Sequence, residues 1–541
     1  MDKATIVLKS RHVFNGLGEE PFEGGVAISG NRIVCVGNVA ALENWIGPHT
    51  EVLAFDDELI MPGFVDAHMH FFTGAFVNSD YMLTAPFESH SEKECAAMVK
   101  AFAKEHPDYP RITGMGWFPA WWDRNSELPS RASLDAVVPD KPVYLLSADG
   151  HTFWLNTKAL EESGITADST VSFGEIGKDS DGELTGLLFE IEAEAPANEF
   201  AFALPAERMK EIQKNFYREI AHCGITSTAS MSVNPVIERS FTEYEIAAEL
   251  EREGELTVRL HLYPSLGLDG NFEVAKSLRE RYHSEKLRVS GLKQFVDGVT
   301  STYSAFMLQP YSDKPATTGF SNYSADLYKK CIAEANKEGF AVRLHAIGDA
   351  GVRLALDAFE ESNRQNGNTG RKNTIEHIES IHPDDIGRFH DLDVIASMQP
   401  IHLVMDANEK VERIGEDRCR FEWPFKSLLD SGVTLAFGTD FPVAPIDPFS
   451  NIYAAVARRD REGAQAGLNP QEKISLAQAL KAYTYGSACA LNRESDLGTL
   501  EQGKLADIIV LDKDPFSGHI EEILKTQIKM TIMDGKIIYS A

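Results

Sequence analysis

The two ends of the chain share a pattern of short apolar runs separated by Gly and Asn turns. Residues 1–58 contain four such runs and residues 495–541 contain three, all rich in Val, Ile and Leu. Runs of this length with many β-branched residues, bounded by turn residues, are typical of strands. The sequence therefore predicts one small β-sandwich domain that is built from both ends of the chain and is discontinuous.

Between these ends, apolar β-type runs alternate with amphipathic stretches at helical spacing, such as 206–221, 324–338 and 350–363. This alternation indicates repeated βα units and a parallel sheet. Eight strands are predicted, over residues 60–70, 225–231, 256–263, 289–298, 340–348, 374–380, 394–400 and 434–441. The fold class is therefore α/β, a closed (β/α)8 TIM-type barrel, with its first strand in 59–72 and its remainder in 206–494.

One long gap interrupts this order. Residues 73–205 separate the first strand from the other units, whereas such connections usually have only a few residues. We predict an inserted subdomain, leaving the barrel on the face where active sites lie, that acts as a lid over the substrate. The alternative is that its four tryptophans simply fill the core of the insertion, namely Trp117, Trp121, Trp122 and Trp154.

Composition and charge limit the class of protein and the kinds of molecule that it can bind. Of the 541 residues, 43% are hydrophobic and 25% are charged, which excludes a disordered or repetitive polymer. Lys and Arg number 52 against 82 Asp and Glu, so the formal net charge is -30. A field of this sign repels phosphate backbones and anionic membranes, and we expect a small-molecule substrate and no nucleic-acid or membrane partner.

The six cysteines are scattered singly, without the close pairs of metal clusters or disulfide frameworks, which indicates reduced thiols. The first apolar run is too short for the core of a signal peptide. No stretch approaches the roughly 18 to 20 apolar residues of a membrane span. We therefore expect a cytoplasmic protein, and a homo-oligomer such as a dimer is compatible with the chain.

The first candidate for chemistry is the pair His68 and His70 at the end of the first predicted strand. Because the side-chain period of a strand is two, both imidazoles point to one side of the backbone, as a chelating pair does. A single pair of this kind occurs often by chance. Its position at the functional mouth of a barrel strengthens the interpretation.

Four further polar residues lie in or at the ends of other predicted strands. They are Lys293, His345, His377 and Asp440. A single histidine of this kind is more often a satisfied core residue, and Gly-Thr-Asp after an apolar run is often a helix cap. A lysine that points into a barrel is harder to explain, since it costs several kcal/mol unless it is paired or neutral. Six such residues at five strand ends favour one common site.

Nine segments of the chain together resemble the amidohydrolase superfamily, in the branch called amidohydrolase family 3 or YtcJ-like. They are MPGFVDAHMH, GWFPAWW, ADGHTFWLN, GLKQFVDG, RLHAIGDAG, IEHIES, VIASMQPIHL, SLLDSGVTLAFGTDFPVAPIDPF and LGTLEQGKLADIIVLD. The resemblance implies that His68, His70 and Asp440 hold one divalent metal ion and that His345 and His377 hold a second. It also implies that Lys293, carboxylated by carbon dioxide, bridges the two ions.

These residue types suit the implied chemistry. Carboxylation turns a repelling cation into an anionic oxygen ligand, and neutral imidazoles with carboxylates suit Zn²⁺, or Mn²⁺, Fe²⁺, Co²⁺ or Ni²⁺ in its place. Two such ions lower the pKa of a shared water and polarise a carbonyl group. Asp440 is then the catalytic general base, which passes the proton of the water to the leaving nitrogen or oxygen. We predict hydrolysis of an amide-like C–N bond.

Departures from the family pattern bear on the substrate. After GLKQFVDG the family commonly has an Arg, whereas this chain has Tyr303, which cannot clamp an anion, and Ala350 replaces a common basic residue. We therefore hypothesise a neutral, partly aromatic substrate. The residues predicted to contact it are His151, Trp154, Tyr303, Gln399 and His402. Each of them can equally be a structural residue.

Two other functions remain open at this point. One is a mononuclear deaminase on the same barrel, which uses His68, His70, one further His and Asp440, with a different role for Lys293. The other is a non-catalytic binding or regulatory protein that keeps the barrel as a scaffold. The complete ligand set argues against the second, because a retired site has no physical reason to keep such groups together.

Overall fold

The computed structural model describes residues 3–122, 128–232, 237–367, 369–460 and 468–541. The chain has a mixed α/β fold with two compact units. The first comprises the described parts of Met1–Met69, Tyr217–Met231 and Leu250–Ala541, and the second those of His70–Phe216 and Ser232–Glu249. Among the described helices, none combines the length and the apolar character required to cross a bilayer.

Strands from both ends of the chain form one eight-stranded sheet in the first unit. Their order is Lys536–Ser540, Ile528–Met533, Ile508–Leu511, Leu59–Pro62, Ile6–Val13, Phe22–Ser29 and Arg32–Gly37, and Glu51–Ala54 also pairs with Ile6–Val13. The two ends meet where Leu59–Pro62 runs antiparallel to Ile508–Leu511. One buried cluster contains Leu8, Val26 and Ile508, so this core is complete only when both termini are in place.

Eight parallel strands of the first unit follow the predicted βα order. They are β1 (Phe64–Met69), β2 (Ile225–Met231), β3 (Arg259–Tyr263), β4 (Gly291–Phe295), β5 (Ala341–Ala346), β6 (Thr374–His377), β7 (Ile395–Met398) and β8 (Leu435–Phe437). Strands β1 to β3 pair in sequence order, with the short strand Leu287–Val289 beyond β3. Strands β4 to β8 also pair in sequence order.

Backbone hydrogen bonds connect these two groups of strands at both edges. The N–H of Lys293 in β4 donates to the carbonyl of Pro264 after β3 (2.9 Å), and the N–H of Leu266 donates to Lys293 (2.7 Å). At the other edge, the N–H of Asp440 after β8 donates to the carbonyl of His68 in β1 (2.8 Å). This connectivity is consistent with a TIM-type barrel.

Helices follow most of these strands, and their amphipathic patterns leave one face for the sheet. Two helices, Ala206–His222 and Phe241–Arg252, cross the boundaries between the units. The remaining helices of the first unit are Val39–Glu43, Glu273–Arg281, Ala325–Lys337, Asp349–Asn366, Pro383–Asp391, Pro400–Ile414, Phe425–Asp430, Pro448–Ala457, Leu476–Lys481 and Ser487–Ala490. The three helices predicted from the sequence are present within a few residues of their predicted bounds.

The prediction of one continuous strand over 60–70 is wrong. The structure has two strands here, which belong to different sheets and are separated by Gly63. A Cβ atom at Gly63 would lie 2.4 Å from Oγ1 of Thr226, and the N–H of Gly63 donates to the carbonyl of Asp507 (3.0 Å). Only a residue without a side chain fits where the chain passes from the terminal sheet to β1.

The second unit contains a six-stranded sheet. Its order is Glu175–Lys178, Leu184–Phe189, Thr152–Leu155, Val143–Ser147, Ile112–Trp117 and Met82–Leu83. Its helices are Phe71–Val77, Glu92–Glu105, Arg131–Asp135, Thr157–Glu162 and Ile191–Ala201. Trp117, Trp122 and Trp154 lie in its buried core, as the packing alternative expects, whereas Trp121 is 46% exposed.

Candidate metal centre

His68 in β1 is buried between two carboxylates. Its Nδ1–H donates to Oε2 of Glu376 (2.7 Å), which leaves Nε2 facing Oδ1 of Asp440 at 3.3 Å. Burial alone would raise the pKa of Glu376, but the charge of Arg343 and the contact with His68 lower it to about 2. An ionised carboxylate on Nδ1 fixes the ring and makes Nε2 a better ligand atom.

Glu376 and Arg343 are functional residues that the sequence analysis missed. Nε of Arg343 lies 2.8 Å from Oε1 of Glu376, and its Nη1 donates to the carbonyl of Ala67 (2.7 Å). A period of two places Arg343 and His345 on the same side of β5, and that signal is visible in the sequence. For Glu376 no such signal exists, because its neighbour His377 would point to the opposite face of an ideal strand.

The backbone of His377 explains how both residues contact His68. His377 has φ 73° and Ile378 has φ 50°, the left-handed region that non-glycine residues seldom adopt. Each such residue costs of order 1–3 kcal/mol, and they cluster at functional sites. The twist ends the alternation, so that the ring of His377 lies 5.0 Å from that of His68 while Glu376 contacts it directly.

Asp440 is held against β1 by the loop after β8. It also has a left-handed backbone (φ 57°). The preceding Thr439 donates through Oγ1 to the buried carboxylate of Asp66 (2.7 Å), which also accepts from the N–H of His68 (3.0 Å). A Cβ atom at Gly438 would lie 2.4 Å from the backbone nitrogen of His68, so this close approach requires glycine.

Asp440 joins two groups of residues that can hold a metal ion. In the first, one ligand atom each of His68, His70 and Asp440 lies within 4.8 Å of the other two, with His70 following β1 directly through Met69. In the second, His377, His402 and Asp440 meet the same criterion. His68, His377, His402 and Asp440 are buried, and His70 is partly buried.

Lys293 in β4 is 1% exposed, and its Nζ has no hydrogen-bond partner among the described residues. Nζ lies 5.1 Å from the centre of the Phe295 ring. Burial lowers the pKa of Lys293 to about 8, although the charges of Glu376 and Asp440 oppose this shift. A buried amine with no partner is costly, which points to a further group at this position.

His345 and His377 lie side by side, with ring centres 4.4 Å apart. Nε2–H of His345 donates to the carbonyl of Gly298 (3.2 Å), which directs Nδ1 away from that contact. Nδ1 of His377 lies 4.0 Å from Oδ2 of Asp440 and has no hydrogen-bond partner among the described residues. Burial lowers the pKa of His377 well below its usual value, so the imidazole is neutral, the form that binds metals.

The structure also brings His402 to Asp440. Its Nε2 lies 3.8 Å from Oδ2 of Asp440, and its ring is parallel to that of His377 (10°, 6.1 Å). Burial alone would lower the pKa of His402, but the contact with Glu379 and the charge of Asp440 raise it to about 9. Gln399 immediately precedes the helix Pro400–Ile414, which contains His402. Gln399 is buried, and neither Nε2 nor Oε1 of its amide has a hydrogen-bond partner among the described residues.

A third group of metal-ligand type consists of Glu379, His402 and Asp406. Here a cation is already present, because Nζ of Lys410 lies 2.7 Å from Oε2 of Glu379 and 3.5 Å from Oε2 of Glu422. An ammonium group at this position would repel a divalent ion. We therefore assign this group to the protein's own charge network and not to a metal.

The other predicted substrate residues have different surroundings. Tyr303, in the loop after β4, donates through Oη to Asp313 (2.8 Å), and the guanidinium of Arg413 lies 4.1 Å from its ring centre. In the second unit, Nδ1 of His151 lies 2.9 Å from Oε2 of Glu190, and Nε1 of the buried Trp154 donates to the carbonyl of Ser130 (2.9 Å). Their contacts with a substrate stay predictions.

The donor set fits divalent metal ions. The three imidazoles of His68, His70 and His377 and the carboxylate of Asp440 are the ligand types of zinc and its neighbours. The unpartnered Nζ of Lys293 and Nδ1 of His377 are buried polar atoms that would otherwise have no compensation. Both metal-ligand groups that share Asp440 therefore support a divalent metal.

Comparisons with known proteins agree with a metal-dependent hydrolase. The profile of the amidohydrolase family matches residues 51–539. The chain is 29% identical to protein LONG AFTER FAR-RED 3 of Arabidopsis thaliana, over 99% of this chain and 92% of that protein. It is 27% identical to N-substituted formamide deformylase of Arthrobacter pascens, over 95% and 94%. A solved structure of an uncharacterized metal-dependent hydrolase from Pyrococcus horikoshii OT3 matches with a TM-score of 0.76 and 28% identity, over 95% and 99%.

Proposed function

This chain belongs to the amidohydrolase family, and from that premise we propose that it hydrolyses an amide-like carbon–nitrogen bond of a small molecule. Family membership and the ligand groups make it a metal-dependent hydrolase. The bond type is our inference, and the formamide deformylase of Arthrobacter pascens, a relative over nearly the whole chain, is named for substrates with such a bond.

One observation carries the proposal. Three strand ends that are far apart in sequence, those of β1, β6 and β8, bring His68, His377 and Asp440 together with both oxygens of Asp440 facing imidazole nitrogens. A carboxylate surrounded by ligand-type nitrogens is the arrangement that this chemistry needs. We propose that these strands belong to a closed barrel and that residues 73–205 form a lid.

We propose that the centre holds two divalent ions, with Zn²⁺ as the leading candidate. His68, His70 and Asp440 would hold one, and His345 and His377 the other. Lys293 would hold both after its amine has added to carbon dioxide, which forms an N–C bond and releases a proton. Bound ions of this kind supply Lewis acidity and an acidified water. The buried and unpartnered Nζ of Lys293 supports this assignment.

Asp440 is the residue that we propose to move the proton. It accepts one proton from the attacking water as the new C–O bond forms. It then gives this proton to the leaving nitrogen as the C–N bond breaks, so that the carboxylate is restored. Glu376 holds the ring of His68 beside it and Asp66 holds the backbone of His68, which keeps the geometry fixed through both transfers.

We propose that the substrate is neutral and partly aromatic. The loop after β4 supports this, because Tyr303 stands there with its ring against Arg413, whose guanidinium is therefore engaged within the protein. Gln399 and His402 are the proposed substrate contacts from the loop and helix after β7. An anionic analogue that is turned over as well as its neutral counterpart would contradict this part of the proposal.

The test is a screen of N-substituted formamides, other amides, cyclic imides and esters against zinc-loaded and manganese-loaded protein. We expect hydrolysis of a neutral amide and two metal ions per chain by elemental analysis. Asp440→Asn should lower kcat by ~10²–10⁴-fold and retain part of the metal. The matched control is Asp430→Asn, an exposed residue whose carboxylate contacts Lys426.

A second measurement examines Lys293 without any substrate. Protein supplied with ¹³C-labelled bicarbonate should show a carbamate signal that is absent in Lys293→Met and present in the exposed control Lys426→Met. One metal per chain with an unmodified Lys293 would favour a mononuclear deaminase. Metal-loaded protein that hydrolyses nothing in the screen would favour a binding or regulatory role.

A further inference from the structure

The surroundings of His402 repeat those of His68 on the other oxygen of Asp440. On one side, Arg343 contacts Glu376 (2.8 Å), Glu376 contacts Nδ1 of His68 (2.7 Å), and Nε2 of His68 faces Oδ1 of Asp440 (3.3 Å). The order is cation, glutamate, histidine and aspartate. Every member of this series is buried.

On the other side, the same four residue types occur in the same order. Nζ of Lys410 contacts Oε2 of Glu379 (2.7 Å), Oε1 of Glu379 faces Nδ1 of His402 (3.8 Å), and Nε2 of His402 faces Oδ2 of Asp440 (3.8 Å). In both series, Nδ1 of the histidine faces the glutamate and Nε2 faces Asp440.

The second series is looser than the first. Distances of 3.8 Å exceed those of hydrogen bonds, and catalytic contacts are often long before substrate binds. The helix that carries His402 is nonetheless held on both sides of this residue. The N–H of Ile401 donates to Oδ1 of Asn451 (3.0 Å), and Nζ of Lys410 donates to Oγ1 of Thr300 (2.7 Å).

We propose that Glu379 and Lys410 are positioning residues for His402, and that His402 in turn positions Oδ2 of Asp440. A carboxylate can turn about its Cβ–Cγ bond and exchange its two oxygens. Oδ1 faces the metal-ligand group that Asp440 forms with His68 and His70, and Oδ2 faces His402. With its two oxygens in these different surroundings, Asp440 keeps one orientation while it accepts and returns the proton. This inference rests on the proposed function, because it assigns the proton transfer to Asp440.

The kinetic test compares His402→Ala, His402→Gln and Glu379→Gln in the metal-loaded protein. We expect kcat and kcat/KM to fall together by ~10–100-fold in His402→Ala, with metal content unchanged. His402→Gln should recover part of the loss, because its amide can still contact Asp440. The double variant Glu379→Gln/His402→Ala should be no slower than His402→Ala alone, since both changes remove one linked effect.

A second readout does not depend on activity. In protein labelled with ¹⁵N at histidine, Glu379→Gln should shift the ring signals of His402, which are assigned by their loss in His402→Gln. Glu412→Gln is the control, because Glu412 is exposed on the same helix. Its spectrum should match that of the wild type.

Three results would overturn the inference. These are a loss of metal in His402→Ala, which would make His402 a ligand; kinetic losses of Glu379→Gln and His402→Ala that multiply in the double variant; and ring signals of His402 that ignore Glu379→Gln. If the wild type hydrolyses no substrate, the proposed function fails by itself, and the NMR measurement still decides whether Glu379 positions His402.

Discussion

Two lysines of the first unit are equally buried and have opposite surroundings. Nζ of Lys410 contacts Glu379, Glu422 and Thr300, and the residue is 0% exposed. Lys293 is 1% exposed, and its Nζ has no hydrogen-bond partner among the described residues. Burial alone would lower both pKa values. The charge of Glu379 raises the pKa of Lys410 above its usual value, whereas that of Lys293 falls to about 8.

The difference shows that burial by itself does not mark a lysine as functional. Lys410 is part of a satisfied network and is explained by the protein alone. Nζ of Lys293 has no hydrogen-bond partner among the described residues. We propose that it carries a carboxyl group that binds metal ions.

The largest expected effect in this comparison is that of Lys410→Met. The substitution leaves the carboxylates of Glu379 and Glu422 buried without their cation. We expect the free energy of unfolding of the metal-free protein to fall by ~3–5 kcal/mol in urea denaturation. Lys426→Met, which breaks an exposed pair with Asp430, should cost no more than about 1 kcal/mol. Equal losses in the two variants would remove the distinction.

Lys293→Met should act in the opposite direction on stability. Removing an unpartnered amine from the interior relieves its desolvation, so the metal-free protein should gain ~1–3 kcal/mol in the same measurement. The variant should also lose hydrolysis. A destabilised Lys293→Met protein would show that the amine has a structural partner and would weaken the assignment of a carboxylated lysine.

The smallest effect is expected for Thr300→Val. Valine has nearly the same shape as threonine but cannot accept the hydrogen bond that Nζ of Lys410 donates to Oγ1 of Thr300. We expect a loss of about 1 kcal/mol in the free energy of unfolding, since Glu379 still neutralises the ammonium group. In the Lys410→Met background the same substitution should have no further cost. A full additional loss there would mean that Thr300 acts through another contact.

The elements of the fold follow closely from local sequence patterns. Runs of buried β-branched residues separated by amphipathic helices predict the eight parallel strands, and the helix Asp349–Asn366 is within a few residues of its prediction. The break at Gly63 was missed because the apolar run continues through it. What divides that run is the approach of Thr226, 163 residues later, which no local pattern contains.

The candidate site divides in a similar way. His68, His377 and Asp440 are predicted because strand ends of a parallel fold meet at one edge, and the structure brings them together. Glu376 was missed because a strand that alternates cannot point two neighbours inward, and the left-handed backbone of His377 permits it. Trp154, by contrast, is predicted as a substrate contact and lies in the core of the second unit.

The sequence by itself determined the types of group that this protein brings to its chemistry, the imidazoles, carboxylates and buried amine at strand ends. Their placement at strand ends follows from hydrophobic periodicity, which is a local property of the sequence. Only the tertiary structure decided which glutamate orients which histidine and which lysine keeps a partner. Those pairings join residues tens to hundreds of positions apart, and they depend on packing distances of a few ångströms that periodicity does not encode.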